Sequence, residues 1–160
     1  MISSVEPYRK SAVDGMEMFL RNFSKVPDDR LSWTPTPTAK SALRIAAHTA
    51  LYAGRFAKMI RDRKLPIVDN LEAWEASLAA EEGAVGTRSD VERIFREGTD
   101  QVLAAFDSIT EEELLLDLDS GQGWTMSMSF LLTLPGWHAV LHTGQIDFLQ
   151  TCWGDHEIYV

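Results

Sequence analysis

His138 and His142 lie four residues apart in the segment GWHAVLHTGQIDFL, and no other pair in this chain is better placed for chemistry. An α-helix turns by about 100° per residue, so side chains at positions i and i+4 project from the same face. Two imidazoles at this spacing offer two nitrogen ligands for Zn, Ni, Cu or Fe without an ordered loop. The alternative is a pair of buried, hydrogen-bonded core histidines, and a metal site needs a third ligand.

His48 is the candidate for that third ligand. The chain has four histidines, and His156 lies in the tail GDHEIYV, beyond the expected end of the last helix. His48 lies in the helical stretch SALRIAAHTALYAGRF, where a single histidine is by itself more often a core residue. Three imidazoles leave coordination positions open for water or substrate, which is typical of reactive metal sites, whereas closed structural sites use four protein ligands.

Three segments, in this order, resemble the DinB-like (YfiT-like) metalloenzyme family: PDDRLSWTPTPTAKSALRIAAH, SITEEEL and WHAVLHTGQIDFL. The resemblance spans nearly the whole chain, and one helix-two histidine followed by a late H-x-x-x-H-x-G-Q is a fairly specific combination. It implies a four-helix bundle in which His48, His138 and His142 bind a divalent transition metal, Zn or Ni. It also implies a metal-dependent enzyme acting on a small molecule, by transfer of a low-molecular-weight thiol or by hydrolysis.

Three further residues are candidates for supporting the metal or contacting the substrate. Gln145 lies about one turn beyond His142 and could support that ligand, contact substrate or bond to a neighbouring helix. Tyr52 and Arg55 follow His48 by four and seven residues and so lie on the same face of the helix as His48. A tyrosine there could donate a proton and an arginine could clamp an anionic group, although packing on the helix surface is the commoner role.

No Asp or Glu stands out in the sequence as a general base for the reaction. Asp147, the acidic residue of the last helix, is about 180° from His138 by the helical count and faces away. This weakens hydrolysis relative to thiol transfer. Two classes without catalysis stay open: a binding or stress-related protein in which a metal only joins helices two and four, and a metal-free helical interaction module.

Composition favours one soluble globular domain over residues 1–160, with 45% hydrophobic and 24% charged residues. The single Cys152 cannot form an internal disulfide, and no leader opens the chain at MISSVEPYRK, so we expect a cytoplasmic protein. A net charge of −9 argues against nucleic acid and anionic lipid as partners. The segment 123–146 has no charged residue, but its Pro135 and polar side chains indicate a buried helix of a water-soluble protein.

Helical periodicity runs through almost the whole chain and predicts an all-α, antiparallel four-helix bundle, with no strand. The first connection, about Val26 to Lys40, is rich in proline and long enough to cross the bundle. A small helical insertion, LEAWEASLAAEEG, is expected between helices two and three, and the sequence does not indicate whether residues 65–88 cover the site. The four main helices are expected at about Val5–Ser24, Ala39 or Ser41 to Arg63, Ser89–Ser108 and Ser127–Trp153.

A homodimer is also expected. Trp74, Phe56 and Leu115 are taken as exposed apolar residues on helix surfaces, and helical bundles commonly pair through such a face.

Overall fold

A computed structural model describes residues 3–159 and gives a mostly helical chain, as predicted. The model has five α-helices: α1 (Glu6–Phe23), α2 (Ala42–Asp62), α3 (Leu71–Ala84), α4 (Arg88–Asp107) and α5 (Met128–Cys152). Short 3-10 helices occupy Ser3–Val5, Asp28–Arg30 and Glu112–Leu115. The predicted insertion is α3, and none of the helices in residues 3–159 is both long and apolar enough to cross a membrane.

The expectation of no strand is wrong. Strands β1 (Asp117–Asp119) and β2 (Thr125–Ser127) pair antiparallel, with Leu118 opposite Met126. The turn between them contains Gly121 at φ 70° and Gly123 at φ 83°, in the left-handed region that glycine adopts without strain. Each strand has three residues, which is too short for an alternating pattern to be visible in the sequence.

Side-chain caps account for where the main helices begin. Ser41 and Ser127 accept hydrogen bonds from the backbone N–H three residues later, close to the predicted starts of two helices. The predicted start of the next long helix at Ser89 is one residue late, since α4 begins at Arg88. Thr87 is the cap of α4. Its hydroxyl accepts a hydrogen bond from the backbone N–H of Asp90 and donates one to the side-chain carboxylate of Asp90 (2.6 Å).

The long helices do not all alternate in direction. Arg44 near the start of α2 donates to the carbonyl oxygen of Val85 (2.7 Å), and Arg63 just after α2 donates to that of Ser108 (2.7 Å). Since Val85 lies just before α4 and Ser108 just after it, α2 and α4 run parallel, so the antiparallel expectation is wrong for this pair. The connection that returns along the length of α2 is the one that contains α3.

Glycines allow the closest approaches between helices. A Cβ at Gly136 of α5 would overlap the hydroxyl of Ser11 in α1 and lie 2.6 Å from its carbonyl oxygen. A Cβ at Gly98 of α4 would lie 2.8 Å from the Cβ of Ala53 in α2. Real Cβ atoms do not come this close to other heavy atoms, so both helix pairs depend on the missing side chain.

One of the residues expected to be exposed is buried. Phe56 is 5% exposed and belongs to the apolar core, because it faces α4 and α5 rather than solvent. Leu115 is 85% exposed, as expected, and Trp74 is half-buried.

Replacing Gly136 by Ala should lower the free energy of unfolding by about 2 kcal/mol, because the new methyl group forces α1 and α5 apart. Gly144→Ala is the matched control on the same helix, since a Cβ there meets nothing within 4 Å. The control should raise stability by about 0.5–1 kcal/mol through helix propensity. Urea unfolding of both variants in EDTA measures the difference, and equal stabilities would contradict the close approach.

Ionisation of Glu113 should make the free energy of unfolding depend on pH in the acidic range. Arg63 donates from Nε and Nη2 to its two carboxylate oxygens, both at 2.9 Å, and these bonds hold the pKa of Glu113 below its ordinary 4.5. A lowered carboxyl pKa stabilises the fold above the unfolded-state value, and this contribution is lost as pH falls through the folded-state value. Glu113→Gln should therefore be less stable than the parent at pH 7 but match it near pH 2, by thermal melting, whereas Glu112→Gln should match it at both.

Candidate metal centre

The structure brings together the three histidines that the sequence singled out. His48 projects from α2 towards α5, where His138 and His142 lie one turn apart. The Nε2 of His138 is 3.3 Å from that of His48 and 3.0 Å from that of His142. One potential ligand atom from each residue lies within 4.8 Å of the others. Nitrogens bound to one tetrahedral ion at about 2.1 Å lie roughly 3.4 Å apart, so this group could hold a metal ion.

Hydrogen bonds at the far side of two rings fix which nitrogen carries the proton. The Nδ1–H of His48 donates to Oε1 of Glu82 (2.7 Å), and the Nδ1–H of His142 donates to Oε1 of Gln145 (2.7 Å). Both acceptors are oxygens, so the Nε2 atoms of His48 and His142 carry lone pairs. Two lone pairs therefore point towards His138, which is the arrangement that a bound cation favours.

Burial keeps the three imidazoles neutral. Removal from water lowers the pKa of His138 to about 3, with smaller contributions from His142 and His48. Burial also lowers the pKa of His48, although the hydrogen bond that His48 donates to Glu82 opposes this, and burial lowers the pKa of His142 as well. Neutral imidazole is the form that binds Zn, Ni, Cu or Fe, so the site presents its ligands in the required state at pH 7.

Glu82 is the functional residue that sequence reasoning missed. The sequence predicted no carboxylate near the histidines, yet Glu82 of α3 is 4% exposed and contacts His48. Lys40 donates to its other oxygen (2.7 Å). Burial raises the pKa of Glu82, but the hydrogen bonds from Lys40 and His48 outweigh this and leave the pKa below its ordinary value. In the run AAEEG it looks like any solvent-exposed acid, so no local signal marks it. Its contact shows that the 65–88 segment covers one side of the site.

Aromatic rings close the opposite side. The ring of Tyr52 lies 4.5 Å from that of His48 and 5.0 Å from that of His138, centre to centre, and the ring of Phe56 lies 5.3 Å from that of His138. Arg55 does not contact the histidines. Its guanidinium lies 4.8 Å from the centre of the Tyr52 ring, so it meets the site only through that ring.

Replacing Glu82 by Gln should weaken divalent metal binding about 10- to 100-fold, because a neutral amide orients His48 poorly and reduces its basicity. Glu81→Gln is the matched control: it removes the same charge from the adjacent residue, whose carboxylate pairs with Arg55 rather than with His48. Isothermal titration of EDTA-treated protein with Zn²⁺ gives both affinities. Equal affinities for the two variants would show that Glu82 does not support the site.

Solved structures share this fold. A DinB-like protein from Bacillus subtilis superimposes with a TM-score of 0.67 at 19% identity, over 96% of each chain. A conserved protein from Enterococcus faecalis has a TM-score of 0.69 at 17% identity, over 94% of this chain and 96% of that one. A mycothiol-dependent maleylpyruvate isomerase has a TM-score of 0.69 at 15% identity, and the match covers 89% of this chain but 60% of the isomerase.

Sequence comparison gives the family. No curated protein sequence matches the chain. The model of the DinB superfamily matches residues 14–146, which is most of the 160 residues. The chain therefore belongs to the DinB superfamily.

Proposed function

We propose that this protein is a metal-dependent enzyme that acts on a small molecule through an open three-histidine site. Its ligands are His48, His138 and His142, and its metal is Zn or Ni. The observation that carries the proposal is the convergence of three neutral Nε2 atoms, two of them with their Nδ1 protons held by oxygen acceptors. Core packing alone does not account for this arrangement, because one Nε2 proton on His138 can satisfy only one of the two lone pairs that face it.

When bound by His48, His138 and His142, a metal would supply a Lewis acid that lowers the pKa of a water or thiol. The chain's own residues hold these ligands in place. Glu82 and Gln145 orient two rings through their Nδ1 protons, and Lys40 offsets the charge of Glu82. Tyr52 and Phe56 keep water from the third ring. In this proposal α1, α2, α4 and α5 form a four-helix bundle whose α2 and α5 carry the site.

Thiol transfer is the reaction that we favour over hydrolysis. The one buried carboxylate of the site, Glu82, already accepts from His48 and Lys40, so neither of its oxygens is free to act as a general base. A structural neighbour is named as a mycothiol-dependent isomerase, which supports a low-molecular-weight thiol as co-substrate. The remaining 40% of the isomerase chain has no counterpart in this protein. We therefore do not assign the isomerase's own thiol or acceptor substrate to this protein. A homodimer and a cytoplasmic location stay predictions.

His142→Ala should abolish stoichiometric metal binding and turnover, because the remaining pair of histidines loses one metal bond and the convergence on α5. His156→Ala is the matched control, since His156 is exposed in the C-terminal tail. Elemental analysis gives the metal content, and a screen with small thiols and electrophiles, together with simple esters, gives turnover.

Each rival class has its own result in this experiment. Metal in the parent without turnover in any assay would favour the metal-stabilised binding protein. A parent that takes up neither Zn²⁺ nor Ni²⁺ would favour the metal-free module and overturn the proposal.

A further inference from the structure

A groove of about 490 Å³ lies between α2, α3 and the chain that joins them. Its volume is within the range of about 300–1,000 Å³ that is usual for small-molecule sites. The wall is largely apolar and includes Met59, Ile67 and Trp74. A polar thiol is a poor match for such a wall, whereas an aromatic or branched hydrocarbon body fits it.

Arg55 forms the end of the groove nearest the histidines. Its side chain is 17% exposed, and Nη2 donates to Glu81 (2.7 Å). Its Nη1 is buried and has no hydrogen-bond partner among residues 3–159. Because Nη1 has no surface open to solvent, a ligand in the groove reaches the guanidinium on the side that now binds the exposed Glu81. An exposed ion pair is weak, so a carboxylate held by the apolar wall can replace that of Glu81.

The charges along the groove also favour an anion. Lys58 and Asp62 form an ion pair with each other, as do Arg55 and Glu81. Lys64 lines the groove as well and forms no ion pair within the described part of the chain. The lining therefore has one spare positive charge, in a protein whose net charge is −9.

Distance along α2 relates the groove to the metal centre. Arg55 follows His48 by seven residues, which at 1.5 Å per residue is about 10 Å along the helix axis. The ring of Tyr52 lies between them, against both the imidazole and the guanidinium. A ligand anchored at Arg55 thus lies within one small-molecule length of the histidines.

We propose that this groove binds a small amphipathic carboxylate, with its apolar body against Trp74 and its carboxylate on the Arg55 guanidinium in place of that of Glu81. Its assignment as the acceptor of the thiol rests on the proposed function. The binding itself does not, because no residue of the groove is a metal ligand.

Naphthalene-2-carboxylate and its uncharged carboxamide are suitable probes, because they share one apolar body and differ in charge. Titration is done by calorimetry on EDTA-treated protein, so that direct coordination of a carboxylate to metal cannot contribute. The carboxylate should bind about tenfold more tightly than the carboxamide, as a charge-assisted hydrogen bond predicts. In Arg55→Gln this preference should disappear, and Arg55→Lys should keep part of it.

Two matched variants control for charge and for loss of an aromatic ring. Arg93→Gln removes one positive charge from the exposed side of α4 and should keep the tenfold preference. Trp74→Ala should weaken both probes, whereas Trp137→Ala, on the exposed face of α5, should weaken neither. Circular dichroism of each variant confirms that it is folded.

Equal binding of the two probes by the parent would overturn the proposal, and so would an unchanged preference in Arg55→Gln. Loss of metal binding in His142→Ala, with the preference for the carboxylate retained, would leave the groove proposal standing. Failure of the metal site and failure of the groove are therefore separate results.

Discussion

The interaction on which the site depends is the enforced proximity of three neutral, half-buried imidazole nitrogens. The Nε2 of His138 lies 3.0 Å from that of His142 and 3.3 Å from that of His48. The Nε2 atoms of His48 and His142 carry lone pairs and no proton, because the protons of these rings are on Nδ1. A neutral His138 has at most one proton on Nε2, which satisfies one of these two lone pairs and leaves the other without a donor, so the helix packing must hold the cluster in place. Gly136 fixes α5 against α1, just before the two histidines of α5, and Gly98 fixes α4 against α2. The cost of the cluster is thus carried by the apolar core, and a cation would remove it.

The helix α3 has a different basis of stability from the other four. Glu82 is its only residue in the buried class, so α3 contributes little apolar surface to the core. Its attachment to α2 and to the residue Lys40 before α2 is instead polar: Glu81 pairs with Arg55, and Glu82 with His48 and Lys40. Because the second of these contacts also sets the proton position on a candidate ligand, docking of α3 and the electronic state of the site are two aspects of one hydrogen bond.

Local patterns in the sequence predict the parts of this structure that local forces determine. The convergence of His138 and His142 follows from helical spacing, and the helix starts at Ser41 and Ser127 follow from capping chemistry. The role of Glu82 could not be predicted in this way, because 34 residues separate it from His48 and its neighbours in sequence are ordinary surface residues. The parallel course of α2 and α4 was missed for a similar reason. Helical periodicity gives the face that a helix buries, and it carries no information on whether a 25-residue connection returns along the previous helix.

Adjacent carboxylates on α3 reach two residues of α2 that are seven positions apart: Glu81 contacts Arg55 in the groove, and Glu82 contacts His48 in the metal centre. A shift of α3 along α2 therefore changes both contacts together. If a ligand on Arg55 competes with Glu81, it weakens one of the attachments of α3, and the helix then depends more on the contacts of Glu82 with His48 and Lys40. Metal binding strengthens that second contact, because a ligand imidazole donates its remaining proton more strongly. Thermodynamic linkage requires the effect to be reciprocal, so occupancy of the groove and of the metal centre are coupled to the extent that α3 moves.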